Sequence, residues 1–142
     1  MILPLLLTLG SSAAKSEPEG TKPLILLNLT ASHHNFVGFE AGGGWGKCTT
    51  RRCDGTIGFF ASVEPGWRGY RLRSGFGSMQ GGEMTLGVWR LGIIGLSDGW
   101  SGSLNQWGPE TTLGLNLLLV RTGMAFGTRE PVQFLWAAGI GF

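Results

Sequence analysis

Apolar side chains recur at every second position in segment after segment of this chain. Residues 24–31 set Ile25, Leu27, Leu29 and Ala31 against Leu24, Leu26, Asn28 and Thr30. Residues 36–46 set Val37, Phe39, Ala41 and Trp45 against Gly38, Glu40, Gly42 and Gly44. In residues 56–64, Ile57, Phe59, Ala61 and Val63 oppose Gly58, Phe60, Ser62 and Glu64, and in 67–77 Tyr70, Leu72 and Phe76 oppose Arg71, Arg73 and three glycines. Residues 111–117 and 121–127 repeat the design, with Leu113, Leu115 and Leu117, then Thr122, Met124 and Phe126, on the apolar side. Successive side chains of a strand point to opposite faces, so each segment predicts a strand with one apolar face and one face of glycine and charge.

Two further segments bring the number to eight. Residues 132–142 carry Val132, Phe134, Trp136, Ala138, Ile140 and Phe142 on one face and Gln133, Leu135, Ala137, Gly139 and Gly141 on the other. Residues 82–96 are apolar on both faces; Trp89, Leu91 and Ile93 are assigned outward, with Met84, Leu86, Val88, Arg90 and Gly92 inward. Breaks rich in Gly, Pro and Ser at 64–66, 78–82 and 127–131 fit the hairpins of a meander. The longest connection is expected at 97–108, and 117–120 must hold a tight apolar turn. The first strand, 24–31, is the least secure, because its Leu and Ile also suit a helix.

Composition narrows the class. Glycine, at 26 of 142 residues, is more than twice as frequent as the average of about 7%. It follows neither a collagen period nor a linker pattern. A net charge of +2, with no basic run, gives no ground for nucleic-acid binding. No stretch approaches the roughly 18 apolar residues of a membrane-crossing helix. Residues 1–14, an apolar run ending in Gly10-Ser-Ser-Ala-Ala14, read as a signal peptide without its usual basic start, or else as an ordinary buried segment. Residues 15–22 read as a polar leader, and 23–142 as one barrel domain. Cys48 and Cys53 are the only cysteines, and an even count in an exported chain suggests a disulfide, with free thiols as the alternative. No metal or cofactor site is expected.

A chain that stops on the aromatic residue of a strand such as 132–142 resembles bacterial outer-membrane β-barrel proteins. The alternation of residues 24–142 is similar to theirs, although the terminal strand is the one specific motif. The resemblance implies an all-β, antiparallel, up-and-down transmembrane barrel of about eight strands. It also implies insertion through Trp136, Ile140 and Phe142, with the lipid bilayer and the barrel-insertion machinery as partners. Outer-membrane location and a structural or surface-interaction role follow as expectations; if Phe142 is periplasmic, the 97–108 loop faces outside.

With the apolar faces outward, Glu40, Glu64, Arg71, Arg73, Arg90, Arg121, Asn116 and Gln133 fall in the lumen. Unpaired buried charge is costly, so Glu and Arg are expected to pair across a plugged bore rather than line an open pore. Trp45, Trp67, Trp89 and Trp136 suit interfacial girdles. Two rivals remain. In a secreted soluble barrel the faces reverse, with Phe59, Leu115 and Phe134 lining a cavity for a small apolar ligand and Arg71, Arg73 and Arg121 solvated. In a lipid-modifying enzyme, Ser32, His33, His34 and Glu40 would supply a rim triad, although neighbours in sequence rarely form one. The balance of these readings is against an enzyme.

Overall fold

Each period-two segment becomes a strand: β1 (Thr21–Ser32), β2 (Phe36–Cys48), β3 (Gly55–Gly66), β4 (Gly69–Gly81), β5 (Leu86–Leu96), β6 (Gln106–Leu115), β7 (Leu118–Gly127) and β8 (Gln133–Gly141). The computed structural model describes residues 20–33, 36–49, 54–81, 86–97, 99–127 and 131–141. Each strand pairs antiparallel with the next, and β1 pairs with β8, so the sheet closes on itself. Closure leaves no exposed edge, which removes the unpaired backbone groups of an open sheet. The meander leaves the ends of β1, β3, β5 and β7, the turn at 67–68 and the loop residues 99–105 at one rim, the loop rim. Thr21 and Gly141 end at the opposite, terminal rim.

The register fixes the barrel's shape. One row of partners runs Lys22, Gly46, Gly58, Gly77, Arg90, Thr112, Arg121, Ala137 and returns to β1 at Ser32. The circuit has advanced 32 − 22 = 10 residues along β1. With strands ~4.8 Å apart and a rise of ~3.3 Å per residue, that stagger tilts the strands by about 40°. Each residue then climbs roughly 2.5 Å along the barrel axis.

The two faces differ as the alternation predicts. Outward positions are mostly apolar, with Ser74, Thr111 and Thr122 as polar exceptions between the rims: Phe59 is 72% exposed and Leu91 57%. Inward positions are buried and largely polar, and among the described residues more polar and charged side chains are buried than apolar ones. This is the reverse of a soluble domain's arrangement. The soluble rival, with Phe59, Leu115 and Phe134 inside and Arg71, Arg73 and Arg121 outside, is not the arrangement found: those three apolar residues are exposed and those three arginines buried.

The same register orders the outer face by height. Trp45, Phe59 and Trp89 lie toward the terminal rim; Trp107, Phe126, Phe134 and Trp136 lie toward the loop rim. Aliphatic Leu29, Val63, Leu91, Ile93 and Val120 fill the zone between them, with Phe39 the aromatic exception. From Trp45 to Phe126 the apolar wall rises about 25 Å. Lys47, below Trp45, is the one charged residue at an outward strand position among the described residues. Trp67 lies in the β3–β4 turn, 88% exposed.

Several boundaries differ from those the sequence suggests. β3 runs through the break expected at 64–66, so that the turn lies at Trp67–Arg68. β4 runs to Gly81 through most of the break expected at 78–82; Gly and Pro at these breaks still pair in the ladder. β1 is a strand, and it begins at Thr21, inside the polar segment. β6 begins at Gln106, so the long loop is 97–105, not 97–108. Pro109 stops being a breaker because the ladder with β7 lapses at Gly108 and Pro109, where no donor is required. The β6–β7 turn sits at Asn116–Leu117, one step before the expected 117–120. Asn116 takes φ 56°, a left-handed conformation that Asn tolerates better than β-branched residues do. Asn116 is therefore exposed in a turn and is no part of the lumen. Trp136 and Ile140 face outward on β8, while Phe142 lies outside the described residues. Cys48 ends β2, and the expected pairing falls on Cys53, outside the described residues.

Candidate functional site: the charged lumen

The interior is layered. Ile94, Leu96, Ala125 and Leu135 pack as an apolar cluster beneath the loop rim. By register, Leu26, Phe60, Val88 and Leu119 are buried on the terminal side. Between these two lids lie Glu40, Glu64, Glu110, Arg71, Arg73, Arg90 and Arg121, all buried.

Glu40 is the hub. Its side chain has no solvent exposure. Ser62 Oγ donates to Oε1 at 2.5 Å and Arg90 Nη1 to the same oxygen at 3.4 Å. Asn28 Nδ2 and Arg121 Nη2 donate to Oε2. One carboxylate thus ties β2 to β1, β3, β5 and β7. Glu64 is the second node, with Arg121 Nη1 at 2.7 Å and Arg73 Nη1 at 2.8 Å on Oε2. Arg73 Nε also donates to Glu110 Oε1 at 2.6 Å. Ion pairing offsets the heavy desolvation of these groups because Glu40 and Glu64 are each met by several partners and Glu110 by a close one. Arg90 also lies over the Phe60 ring, 5.5 Å from its centroid, where the ring face attracts a cation.

The inward glycines provide the space. A Cβ at Gly38 would stand 2.8 Å from Glu64 Oε1, and one at Gly77 would stand 2.6 Å from Arg90 Cγ and 2.5 Å from the Trp89 carbonyl oxygen. Long side chains on one strand lie over glycines on its neighbours. Gly77→Val is expected to lose about 1–3 kcal/mol of stability, the usual cost of overpacking. Urea unfolding of the refolded protein measures it, and an unchanged midpoint would show that the space is not needed.

All six charges predicted for the lumen, Glu40, Glu64, Arg71, Arg73, Arg90 and Arg121, are brought together there. Gln133 is half-buried at the loop rim. Sequence reasoning missed Glu110, and it set Asn28 and Ser62 on the inward faces without naming them among the lumen groups. Glu110 was hidden behind Pro109, yet carrying the alternation Trp107, Pro109, Thr111, Leu113 backward places Glu110 inward.

Among the described residues, Ser32, His33 and Glu40 are not brought together as a triad. Ser32 Oγ faces the lumen and accepts a 2.8 Å hydrogen bond from Arg71 Nη2. His33 lies outside, stacked on Trp136 at 5.7 Å between centroids, with Nδ1 3.4 Å from the Trp136 carbonyl oxygen. The barrel wall separates that imidazole from Ser32 and Glu40, and His34 lies outside the described residues. No group of three His, Cys, Asp or Glu side chains suited to a metal ion occurs among the described residues.

No family model, curated protein or solved structure matches this chain. Its own geometry carries the functional reading. Seven charged side chains locked to one another across the bore form a plug between two apolar lids. Such a plug joins distant strands, and a substrate has no open surface there.

Proposed function

We propose that the chain is a small outer-membrane β-barrel protein of bacteria, with a plugged, charge-paired lumen and a structural or surface-interaction role. The observation that carries this reading is the outer wall. It is uncharged and largely apolar over about 25 Å and edged by aromatic residues, which matches the band expected of a membrane barrel. A ten-residue strand tilted by about 40° spans that height, and the strands run from 9 to 13 residues. An apolar face that encircles a domain far exceeds the few hundred Å² a soluble monomer exposes. The inverted interior supports the same reading, because the charges that would keep a soluble barrel hydrated are turned inward.

With the chain ends periplasmic, the 97–105 loop stands outside the cell as the contact surface. It is anchored to the barrel by Ser97 N donating to the Tyr70 carbonyl at 3.0 Å and Asn105 N donating to the Leu96 carbonyl at 2.8 Å. Between these anchors Trp100 is exposed.

Fractionation of expressing cells tests the proposal. Expected are recovery with outer membranes, extraction by detergent alone, and slower gel migration after boiling than before. Recovery in the soluble fraction without detergent, with the same mobility boiled or unboiled, would sink it.

A further inference from the structure

Among the described residues the lumen charges do not balance: four guanidiniums, of Arg71, Arg73, Arg90 and Arg121, are buried with three carboxylates, of Glu40, Glu64 and Glu110. Arg73 and Arg121 each hold carboxylates at hydrogen-bond distance. Arg90 reaches Glu40 at 3.4 Å and has the Phe60 ring face as well. Arg71 is left with the least. Its nearest carboxylate oxygen, Glu64 Oε1, is 3.5 Å from Nη1 and accepts no hydrogen bond from it, because Glu64 turns Oε2 to Arg73 and Arg121. The one hydrogen bond described for Arg71 goes to a neutral hydroxyl, Ser32 Oγ. Its Nε is buried with no acceptor among the described residues. Arg73, Arg90 and Arg121 also have nitrogens without acceptors, but each of them donates to a carboxylate, which Arg71 does not.

A buried, incompletely paired cation is strongly unfavourable, and guanidinium does not shed its proton to escape. Arg71 Nε points to a missing negative charge at the loop-rim end of the plug. We propose that the position beside Arg71 Nε, beneath the loop rim, binds one small monovalent anion of the halide class. The anion brings the seven-charge cluster to neutrality and takes the hydrogen bond that Arg71 Nε has left to give. A divalent or bulky anion does not suit the position, since Glu64 Oε1 already lies 3.5 Å from Arg71 Nη1 and one unit of charge is in excess among the described residues. The inference stands on the interior alone and is independent of what covers the outer wall.

The test uses the full chain refolded in detergent. Urea unfolding midpoints are measured as sodium gluconate is replaced by sodium chloride at constant ionic strength, and crystals grown in sodium bromide are examined at the bromine absorption edge. The native protein is expected to gain stability with chloride and then saturate, as a ligand bound only to the folded state requires. An anomalous peak beside Arg71 Nε is expected from bromide. Arg71→Gln removes the surplus charge, so it should fold, lose the chloride increment and be the least destabilising of the four Arg→Gln changes. Overturning results are a native midpoint indifferent to chloride, an increment of equal size in Arg71→Gln, or a bromide-free lumen. If Arg71→Gln fails to fold, surplus charge is the wrong account of Arg71, and the proposal falls with it.

Discussion

Glu40→Gln is expected to lower the stability of the folded barrel by about 3–5 kcal/mol, the range found when one partner of a buried pair is removed. The glutamine side chain keeps the volume, and its carbonyl still accepts from Ser62 or Asn28. What it loses is the charge that meets Arg121 and Arg90, with Arg73 at 4.0 Å as a third neighbour. Four guanidiniums would then share two carboxylates in a compartment that water does not reach. Glu110→Gln should cost less, since Glu110 serves Arg73 alone and Arg73 keeps Glu64 at 2.8 Å. Combining Glu40→Gln with Arg121→Gln should recover part of the loss, because the two residues act in one network. Equilibrium urea titrations of the refolded protein and the three variants decide the matter. A Glu40→Gln change within 0.5 kcal/mol of native, roughly the size of an ordinary surface substitution, would show that the network contributes little to stability.

The alternation of apolar and small or charged residues made the strands, their number and their inner and outer faces legible before any coordinates. Its power came from a physical asymmetry: every strand has the same two environments, so each strand repeats the same message. What stayed hidden was information of another kind. Glu110 escaped because Pro109 is a strong local breaker, and only the lapse of one ladder beside it makes proline acceptable there. Asn116 was placed inward because parity was extended one residue too far, past a turn that its own left-handed backbone creates. The partners of each lumen charge were not legible either. Arg121 meets Glu64 across 57 residues and Glu40 across 81, distances that register and closure set and that no local pattern encodes. The separation of Ser32 from His33 is the converse case, since strand parity alone sends neighbours to opposite sides of the wall.

Leu91→Arg carries the second large expected effect, and it distinguishes a lipid-covered wall from a wet one. Leu91 lies at the middle of β5, 57% exposed, in the aliphatic zone between the two aromatic tiers. It touches water if the barrel is soluble, and an exposed Leu→Arg change then costs within about 0.5 kcal/mol and adds solubility. In a bilayer the same arginine stands near the midplane, where the penalty is about 2–4 kcal/mol. Trp67→Arg, at the loop rim, is the control: near the interface the cost falls to about 0–1 kcal/mol. Refolding into phospholipid vesicles, followed by urea titration, should therefore rank native and Trp67→Arg close together and Leu91→Arg far below. In detergent micelles, which deform around a charge, the gap should narrow. Equal stabilities of the two arginine variants in vesicles would contradict a hydrocarbon layer at Leu91, and with it the membrane reading of the outer wall. The depth dependence is the decisive part, since a loss of core packing would not follow height along the barrel axis.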